Sequence, residues 1–434
     1  MYEHACGAAL SMVGVPFTGT LVGWRRAFHQ DGTCIVKDSA LRGTILTIRT
    51  LTRVHIQKGF LISMHHDTRQ SDNSQPTQSD YLSGAQIIPR RVHPNMTVAE
   101  LIDQQFQAYN SARLNEAARL YAEEMLSPEK DVTICLTMAG ALTPAGLGGC
   151  VLTLMEHGFV DFIISTGANL YHDMHYALAM SLHRGDFRLD DTKLQEAGVI
   201  RIYDILFEDK VLLDTDAFVR ECLKSLPNHP ISTAELHYHL GTQLLKAGVN
   251  PEYSVLAQAA QWNVPIYTSS PGDSSIGMNV ARNALDGSLL TLDPLADVNE
   301  TTAIVHHATR NGVIILGGGS PKNFYLQTQP QLWEVLGIQK GGHDYFIQIT
   351  ADAPHWGGLS GATPSEAVSW GKIKPDQLSS TVVIYGDSTI ALPLITAYAM
   401  SKAQPRPRRE LYARREELLK ELKDAYIAGK EVRP

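Results

Sequence analysis

Cysteine is scarce in this sequence, and its few copies lie far apart. The five cysteines form no C-x-x-C pair, and their number is odd. A disulfide framework needs paired cysteines and a structural zinc site needs closely spaced ones, so neither is expected. Cys135 and Cys150 lie in apolar surroundings, which indicates small core residues. This cysteine usage fits a reducing, cytoplasmic environment.

The sequence also lacks an excess of positive charge. Its 45 acidic residues outnumber its 37 lysines and arginines, which gives a formal net charge of -8. A nucleic-acid surface needs a basic excess to neutralise phosphates, so no nucleic-acid partner is predicted. Hydrophobic residues make up 44% of the chain and charged residues 19%, the balance of a globular protein with a sizeable core.

The one stretch that resembles a membrane segment lacks its usual features. Residues Ala5 to Trp24 carry no formal charge and precede Arg25 and Arg26. Glycines and Pro16 interrupt this stretch, and the start MYEH has no positive residue before it. We therefore expect neither a signal peptide nor a membrane anchor.

Composition divides the chain into four predicted parts. Residues 1–63 show no link to the rest of the chain and are predicted to be a non-core extension, or an over-extended start that precedes the polar run at Met64. Residues 64–94 form a flexible leader that is rich in Ser, Gln and Asp. Residues 95–404 form the main domain, and the charged residues 405–434 form a helix that docks on this domain or on a neighbouring subunit.

Within the main domain, short apolar runs alternate with amphipathic helical segments. The pattern Thr97–Glu100 is a capping box that opens one or two helices before Pro128. The predicted strands are Thr133–Thr137, Phe159–Ser165, Ile200–Ile205, Val264–Thr268, Gly312–Leu316, Tyr345–Thr350 and Val382–Tyr385. The predicted helices include Ala145–His157, Ala234–Ala247 and Pro251–Trp262. This alternation predicts an α/β fold, a doubly wound and mostly parallel sheet with helices on both faces.

Ligands of such folds bind outside the carboxyl ends of the strands, and two small-residue turns stand there. Gly317-Gly318-Gly319 follows an apolar strand and leaves backbone amides accessible to a ligand, although it is not G-x-G-x-x-G. A tight turn without a ligand explains it equally well. The turn Ser165–Asn169 follows another strand and suits contact with a phosphate or ribose. His172 and His175 share one helical face, but without a third ligand no metal site is predicted.

The segment from Gly357 to Ile373, GGLSGATPSEAVSWGKI, is the most informative. Thr363 is a good N-cap, Pro364 suits the first helical position, and Glu366 stands where it closes a capping box. The spacing predicts a short helix from Pro364 to about Trp370, with Gly371 as its stop.

Lys372 directly follows this predicted helix. Glu366 and Trp370 are four residues apart and share a face, so Lys372 is expected beside an indole and near a carboxylate. A lysine that attacks an imine must be neutral; burial against an aromatic ring lowers its pKa and a carboxylate raises it. Lysines are also common at helix C-termini without any catalytic role, where they complement the helix dipole.

At these residues the chain resembles the deoxyhypusine synthase family, whose catalytic lysine lies in the motif EAVSWGKI. The resemblance covers residues 95 to 402. It includes FQAYNSARL at Phe106–Leu114, VDFIISTGANLYHD at Val160–Asp173, VPIYTSSPGDSSIG at Val264–Gly277, NGVIILGGG at Asn311–Gly319 and VIYGDSTIALPL at Val383–Leu394.

The resemblance implies a homotetramer with active sites between paired subunits, and a transferase that uses NAD. In that reaction spermidine gives a hydride to NAD, the lysine takes the aminobutyl group as an imine, and an acceptor amine collects it. By matching position, Lys372 is the nucleophile, and Glu366, Trp370, Asp273 and His172 contact the amine. The implied dinucleotide-binding residues are Thr166, Gly167, Asp273, Gly317, Gly318, Asp387 and Ser388.

The chain departs from the family pattern where the amine binds. Histidine replaces an acid at His172, and the family's other expected groups are replaced at Met278, Asn323, Trp356 and Leu359, with Asp352 as a possible substitute carboxylate. These losses leave the acceptor open between a protein lysine on a translation factor and a free diamine. They also leave open a non-catalytic relative that binds NAD or an amine.

Overall fold

The computed structural model describes residues 25–28, 34–37, 46–48 and 78–431, which fall into two compact units, residues 1–84 and 85–434. In the first unit, β1 (Arg25–Phe28), β2 (Cys34–Lys37) and β3 (Leu46–Ile48) form an antiparallel sheet. Most of the predicted extension and residues 64–77 of the predicted leader lie outside the described residues. A short helix, Gln78–Tyr81, precedes an exposed stretch. The predicted domain boundaries stay predictions.

The centre of the second unit is a six-stranded sheet. Its strands are β4 (Val132–Met138), β5 (Phe162–Ser165), β9 (Ile266–Thr268), β10 (Arg310–Leu316), β11 (Tyr345–Thr350) and β12 (Thr381–Tyr385). They lie in the order β12-β11-β10-β4-β5-β9, and all their pairings are parallel. The predicted doubly wound α/β fold is confirmed, and six predicted strands correspond to these six within a few residues.

Helices cover the sheet on both faces. The helices of eight or more residues are Val98–Gln105, Tyr109–Arg119, Gly148–Glu156, Gly167–Ala177, Asp209–Leu223, Thr233–Ala247, Ser275–Leu285, Pro294–His307, Gly319–Leu326, Ser388–Lys402 and Arg415–Glu431. The shorter α-helices of the second unit are Asp191–Glu196, Val255–Gln261, Thr328–Pro330 and Pro364–Ser369. Successive residues of β10 belong to two different apolar clusters, Ile314 to one and Ile315 to the other. The near-continuous apolar strands therefore reflect burial on both faces.

The chain order of the strands creates a switch point in the middle of the sheet. From β4 the chain adds β5 and β9 on one side, and it then returns to place β10 against the other side of β4. The carboxyl ends of β4 and β10 are joined where the Ala139 N–H donates to the Leu316 carbonyl at 3.0 Å. Gly140 and Gly317, both with positive φ, follow these two ends. Such a switch point is where ligands of open α/β sheets bind.

One predicted strand is wrong. Residues predicted as the strand Ile200–Ile205 form two strands, β7 (Val199–Ile202) and β8 (Ile205–Glu208), which pair antiparallel and join β6 (His183–Arg184) in a separate sheet. The turn between them contains Tyr203, whose φ is +54°. An apolar run does not reveal such a turn, because its residues carry no glycine or Asn-Gly signal.

The C-terminal segment packs on the main domain, which confirms the first of the two predicted locations. Leu411, Leu418 and Leu422 are buried in the same apolar cluster as Ile315. The helix is shorter than predicted and spans Arg415–Glu431, since the preceding residues form turns and extended chain. Among the described residues, no helix is long and apolar enough to cross a membrane.

Candidate active site

The local sequence places Lys372 at the end of a short helix, as predicted. The Thr363 hydroxyl accepts the Glu366 backbone N–H at 3.2 Å and caps the helix Pro364–Ser369. Gly371 ends it with φ +65°, and a Cβ there would lie 2.7 Å from the indole nitrogen of Trp333. Only glycine combines this left-handed backbone with so close a neighbour, so the turn that presents Lys372 is specified locally.

The Lys372 amine is half-buried among one aromatic ring, one amide and one carboxylate. Its Nζ donates to Asn323 Oδ1 at 2.9 Å and lies 5.5 Å from the centre of the Trp370 ring. Burial lowers the pKa of Lys372, while the charge of Glu366 acts in the opposite direction. Because the pKa is lowered on balance, desolvation outweighs the carboxylate and favours the neutral, nucleophilic amine.

Lys372, Glu366 and Trp370 line one cavity of about 270 Å³, which we call the lysine cavity. Two positions where the family pattern carries acids are apolar in this chain, and one of them lines the cavity. Trp356 is 65% exposed and Leu359, which lines the cavity, is 50% exposed. Asp352, considered as a substitute carboxylate, is not among the residues that line it.

Sequence reasoning missed a second lysine in this cavity. Lys322 is only 2% exposed, and its Nζ donates to Gln348 Oε1 at 2.9 Å and to the carbonyls of Ser360 and Ala362 at 3.3 and 2.7 Å. Burial lowers the pKa of Lys322 to about 8. These bonds tie the helix that begins at Gly319 to the loop before Thr363. The sequence does not predict these hydrogen bonds, because the partners lie 26 to 40 residues from Lys322 along the chain.

His172 and Asp273 lie elsewhere, in a second cavity of about 430 Å³ that we call the histidine cavity. Its wall combines these two polar residues with Tyr171, two serines and apolar side chains. The lining residues are Ala168, Tyr171, His172, Ile200, Ile202, Phe207, Leu212, Gly272, Asp273, Ser274, Ser275 and Met278. The two cavities share no lining residue, so the predicted amine contacts divide into Glu366 and Trp370 on one side and Asp273 and His172 on the other.

His172 and His175 contact each other directly. His172 Nδ1 lies 3.0 Å from His175 Nε2, and burial lowers the pKa of both rings, that of His175 to about 3. Two ring nitrogens that face each other at this distance share a hydrogen bond. In the part of the chain that the structure describes, no group of three or more His, Cys, Asp and Glu side chains could hold a metal ion.

The residues predicted around a dinucleotide lie at the carboxyl edge of the sheet. Thr166 caps the helix Gly167–Ala177 and donates its hydroxyl to the Gly140 carbonyl at 2.6 Å. A Cβ on Gly167 would lie 2.3 Å from the Ser274 side chain. The glycine therefore brings the end of β5 and the loop after β9 into direct contact.

Two further pairs of predicted dinucleotide-binding residues, Gly317–Gly318 and Asp387–Ser388, lie at the start of helices at the same edge. Gly317 and Gly318 precede the helix Gly319–Leu326, and a Cβ on Gly318 would meet Ser360 at 2.5 Å. Asp387 caps the helix that begins at Ser388 by accepting the Thr389 N–H at 2.8 Å. All four residues follow carboxyl ends of strands, as predicted.

Known proteins are similar to this chain over most of its length. The family model for deoxyhypusine synthase matches residues 100–399. A deoxyhypusine synthase-like protein of Nostoc sp. (strain PCC 7120) is 54% identical over 357 residues, which cover 80% of this chain and 93% of the relative. A second one, from Nostoc punctiforme, is 54% identical over 80% of this chain and 91% of its own length.

A more distant relative carries a different name. The Methanosarcina acetivorans protein named "Probable deoxyhypusine synthase 2" is 39% identical over 302 residues, which cover 69% of this chain and 86% of that protein. The parallel sheet, the position of Lys372 at the end of its short helix and these matches all indicate the same family. The chain belongs to the deoxyhypusine synthase family.

Proposed function

We propose that this protein is an NAD-dependent transferase that moves an aminoalkyl group from a polyamine such as spermidine, through an imine on Lys372, to an acceptor amine. The observation that carries the proposal is the Lys372 amine itself. It is half-buried, its pKa is lowered, and it faces a cavity beside an indole and a carboxylate. An exposed helix-terminal lysine without a catalytic role would have none of these features.

The residues at the switch point fit a dinucleotide. A Cβ on Gly140, Gly272 or Gly319 would meet nothing within 4 Å, so the backbone after three strands borders open space. The helices that begin at Gly167 and Gly319 direct the positive ends of their dipoles towards this edge, where a pyrophosphate is stabilised. Thr166, Gly167, Gly317, Gly318, Asp273, Asp387 and Ser388 would hold NAD. The chemistry that NAD supplies when bound is reversible hydride acceptance.

The protein's own part is to bind and exchange amines. Glu366 and the Trp370 ring face attract an alkylammonium. Once the donor is oxidised to an imine, neutral Lys372 attacks its carbon, a C–N bond forms to Nζ, and the remaining diamine leaves. The acceptor amine then displaces Lys372 as the leaving group and forms a new imine, which the hydride held by a bound cofactor would reduce. No net redox change results.

A free diamine is a better candidate for the acceptor than a lysine on a protein. Trp356 is exposed and Leu359 lines the lysine cavity, both at positions where the family pattern has acids, and their apolar side chains remove attraction for a highly charged donor or a basic protein loop. Each missing charged hydrogen bond weakens binding of a triamine by about 1–3 kcal/mol. Transfer to a free diamine gives a homospermidine-like product, and transfer to a protein lysine gives a modified protein.

The direct test is to trap the imine. The protein is incubated with NAD and labelled spermidine or putrescine, reduced with borohydride and digested, and the labelled peptide is identified. We expect label on Lys372, none in Lys372→Ala, and full labelling in the control Lys423→Ala on the exposed C-terminal helix. Absence of label with every polyamine would favour a non-catalytic relative that binds NAD or an amine. Activity in Lys372→Ala would contradict the mechanism.

A further inference from the structure

The histidine cavity contains a chain of hydrogen bonds that determines where its protons lie. The Thr215 hydroxyl lies 2.7 Å from the Val211 carbonyl, which can only accept. Its second neighbour, the Met180 sulfur at 3.3 Å, is likewise an acceptor. The single hydroxyl proton of Thr215 is therefore used, and Thr215 must accept at its remaining contact, His175 Nδ1 at 2.9 Å.

The acceptor role of Thr215 determines which nitrogen is protonated in the His175 ring and then in the His172 ring. His175 donates from Nδ1 to Thr215, so in its neutral form its Nε2 carries a lone pair. His172 Nδ1 faces that lone pair at 3.0 Å and must donate to it. Neutral His172 then has its own lone pair on Nε2. His172 is only partly buried and lines the histidine cavity, so this nitrogen is the one of the two rings' nitrogens that remains available as a base.

The remainder of the wall suits an alkylammonium. Asp273 supplies a carboxylate on the side of the β9 loop, and Ile200, Ile202 and Phe207 supply an apolar face for a carbon chain. A protonated amine has N–H donors for the two acceptors and methylene groups for the apolar face.

We propose that His172 Nε2 is the base that takes a proton from the donor ammonium before oxidation, and that His175 and Thr215 are positioning residues that hold it in the required tautomer. This rests on the proposed transferase function. A carbon next to a protonated nitrogen does not release a hydride, because the nitrogen lone pair must form the C=N bond. The proton moves from the amine nitrogen to His172 Nε2. Nδ1–H stays bonded to His175, and the proton returns to the departing amine.

Apart from His175, the titratable groups on the helices around His172 bond to one another rather than to its ring. On its own helix, the Tyr171 hydroxyl donates to Asp216 at 2.9 Å, and burial raises the pKa of Tyr171, so it stays protonated. Asp216 also accepts from Asn279, which binds Arg220. Asp273 faces the cavity from the loop after β9. Burial lowers the pKa of His172 below the ordinary histidine value of 6.5. The ring should therefore lose its ability to accept a proton only at a pH below that value.

The experiment measures single-turnover formation of the trapped Lys372 adduct as a function of pH. In the wild type the rate falls as pH drops through the His172 pKa, because a protonated imidazole cannot accept. His172→Gln fills the space without basicity and should slow adduct formation by about 10²–10⁴-fold with loss of this limb. His172→Glu, which provides a carboxylate base, should recover part of the rate.

Thr215→Val should slow the reaction about tenfold and shift the fall in rate to a different pH, whereas Thr215→Ser, which keeps the hydroxyl, should behave as wild type.

A second measurement reads the tautomer directly. In protein labelled with ¹⁵N-histidine, two-bond proton–nitrogen spectra should show His172 protonated at Nδ1, and Thr215→Val should abolish this preference. A His172→Gln variant with the wild-type rate and pH profile, or a wild-type His172 protonated at Nε2, overturns the assignment but leaves the transferase intact. A wild type that traps no amine at any pH overturns both.

Discussion

At the residue scale, the reactivity of Lys372 is a balance between two opposed effects. Burial lowers its pKa and Glu366 raises it, and burial prevails. In the proposed reaction the carboxylate still has a use, because an amine donor would arrive as an ammonium that needs a counter-charge. Under that proposal Glu366 serves binding at some cost to the nucleophilicity of Lys372. The spacing Glu366–Trp370–Lys372 made this balance predictable, whereas Asn323, which bonds the amine, comes from a distant helix.

Replacement of Glu366 separates these two effects. In Glu366→Gln the pKa of Lys372 falls further, so formation of the adduct from bound donor should reach its maximum at lower pH than in the wild type. Loss of the counter-charge should raise the donor KM about tenfold. Steady-state kinetics and the pH profile of trapping measure the two changes. The control Glu416→Gln, exposed on the C-terminal helix, should alter neither. An unchanged KM would place the ammonium elsewhere.

At the element scale, short turns determine where the chemical groups project. The helix Pro364–Ser369 is too short to be stable alone, and its cap at Thr363 and its stop at Gly371 define it. Both signals are local, which explains why the sequence predicted this helix within one residue. The β7–β8 hairpin was missed because its turn at Tyr203 uses a left-handed residue without glycine.

A substitution at Gly371 tests the importance of this turn. In Gly371→Ala, φ +65° strains the backbone, and the new Cβ meets Trp333 at 2.7 Å. We expect a loss of about 1–3 kcal/mol in the free energy of unfolding and a larger loss of trapping, because Lys372 moves with the turn. The control Gly149→Ala lies in the first turn of the helix Gly148–Glu156 with nothing within 4 Å and should not lower the free energy of unfolding. Denaturant unfolding measures both, and a wild-type stability for Gly371→Ala would contradict this account.

At the scale of the whole molecule, the C-terminal segment completes the core through buried charges as well as leucines. Arg415 lies 2.9 Å from Glu235 and 3.2 Å from the buried Glu300. Burial raises the pKa of Glu300 to about 7, and Arg415 opposes that rise. Between pH 4.5, the ordinary pKa of a glutamate, and about pH 7, the folded state therefore binds more protons than the unfolded state. The contribution of Glu300 to the free energy of unfolding falls as pH rises through that window.

Removal of Arg415 should exaggerate this dependence. In Arg415→Met the pKa of Glu300 rises further, so the deficit in Tm relative to wild type should be larger at pH 8 than at pH 5. Thermal unfolding at the two pH values measures it. The double variant Arg415→Met with Glu300→Gln should recover much of the loss at pH 8, because the buried carboxylate that Arg415 compensates is then absent. A deficit independent of pH would mean that packing alone is lost.

The division of the site between two cavities leads to a prediction about assembly. The family resemblance implies active sites between paired subunits, in which the lysine cavity of one copy would face the histidine cavity of another. Lys372→Ala and His172→Gln, each inactive alone, should then recover about one quarter of wild-type activity when their chains are mixed and reassembled, since half of the pairs contain one intact site. Lys372→Ala mixed with Trp370→Ala should recover none. No recovery in the first mixture would place both cavities in the same chain's site.

The sequence by itself determined the alternation of strands and helices, the residues at the carboxyl edge, and the turn that presents Lys372. These depend on periodicity, capping and glycine, which act over a few neighbouring residues. Only the tertiary structure decided that Lys322 lines the lysine cavity, that Asn323 accepts a hydrogen bond from Lys372, that Thr215 bonds His175, and that the predicted amine contacts fall into two cavities. Those features join residues that lie tens of positions apart, and the packing of the sheet and its helices brings them together.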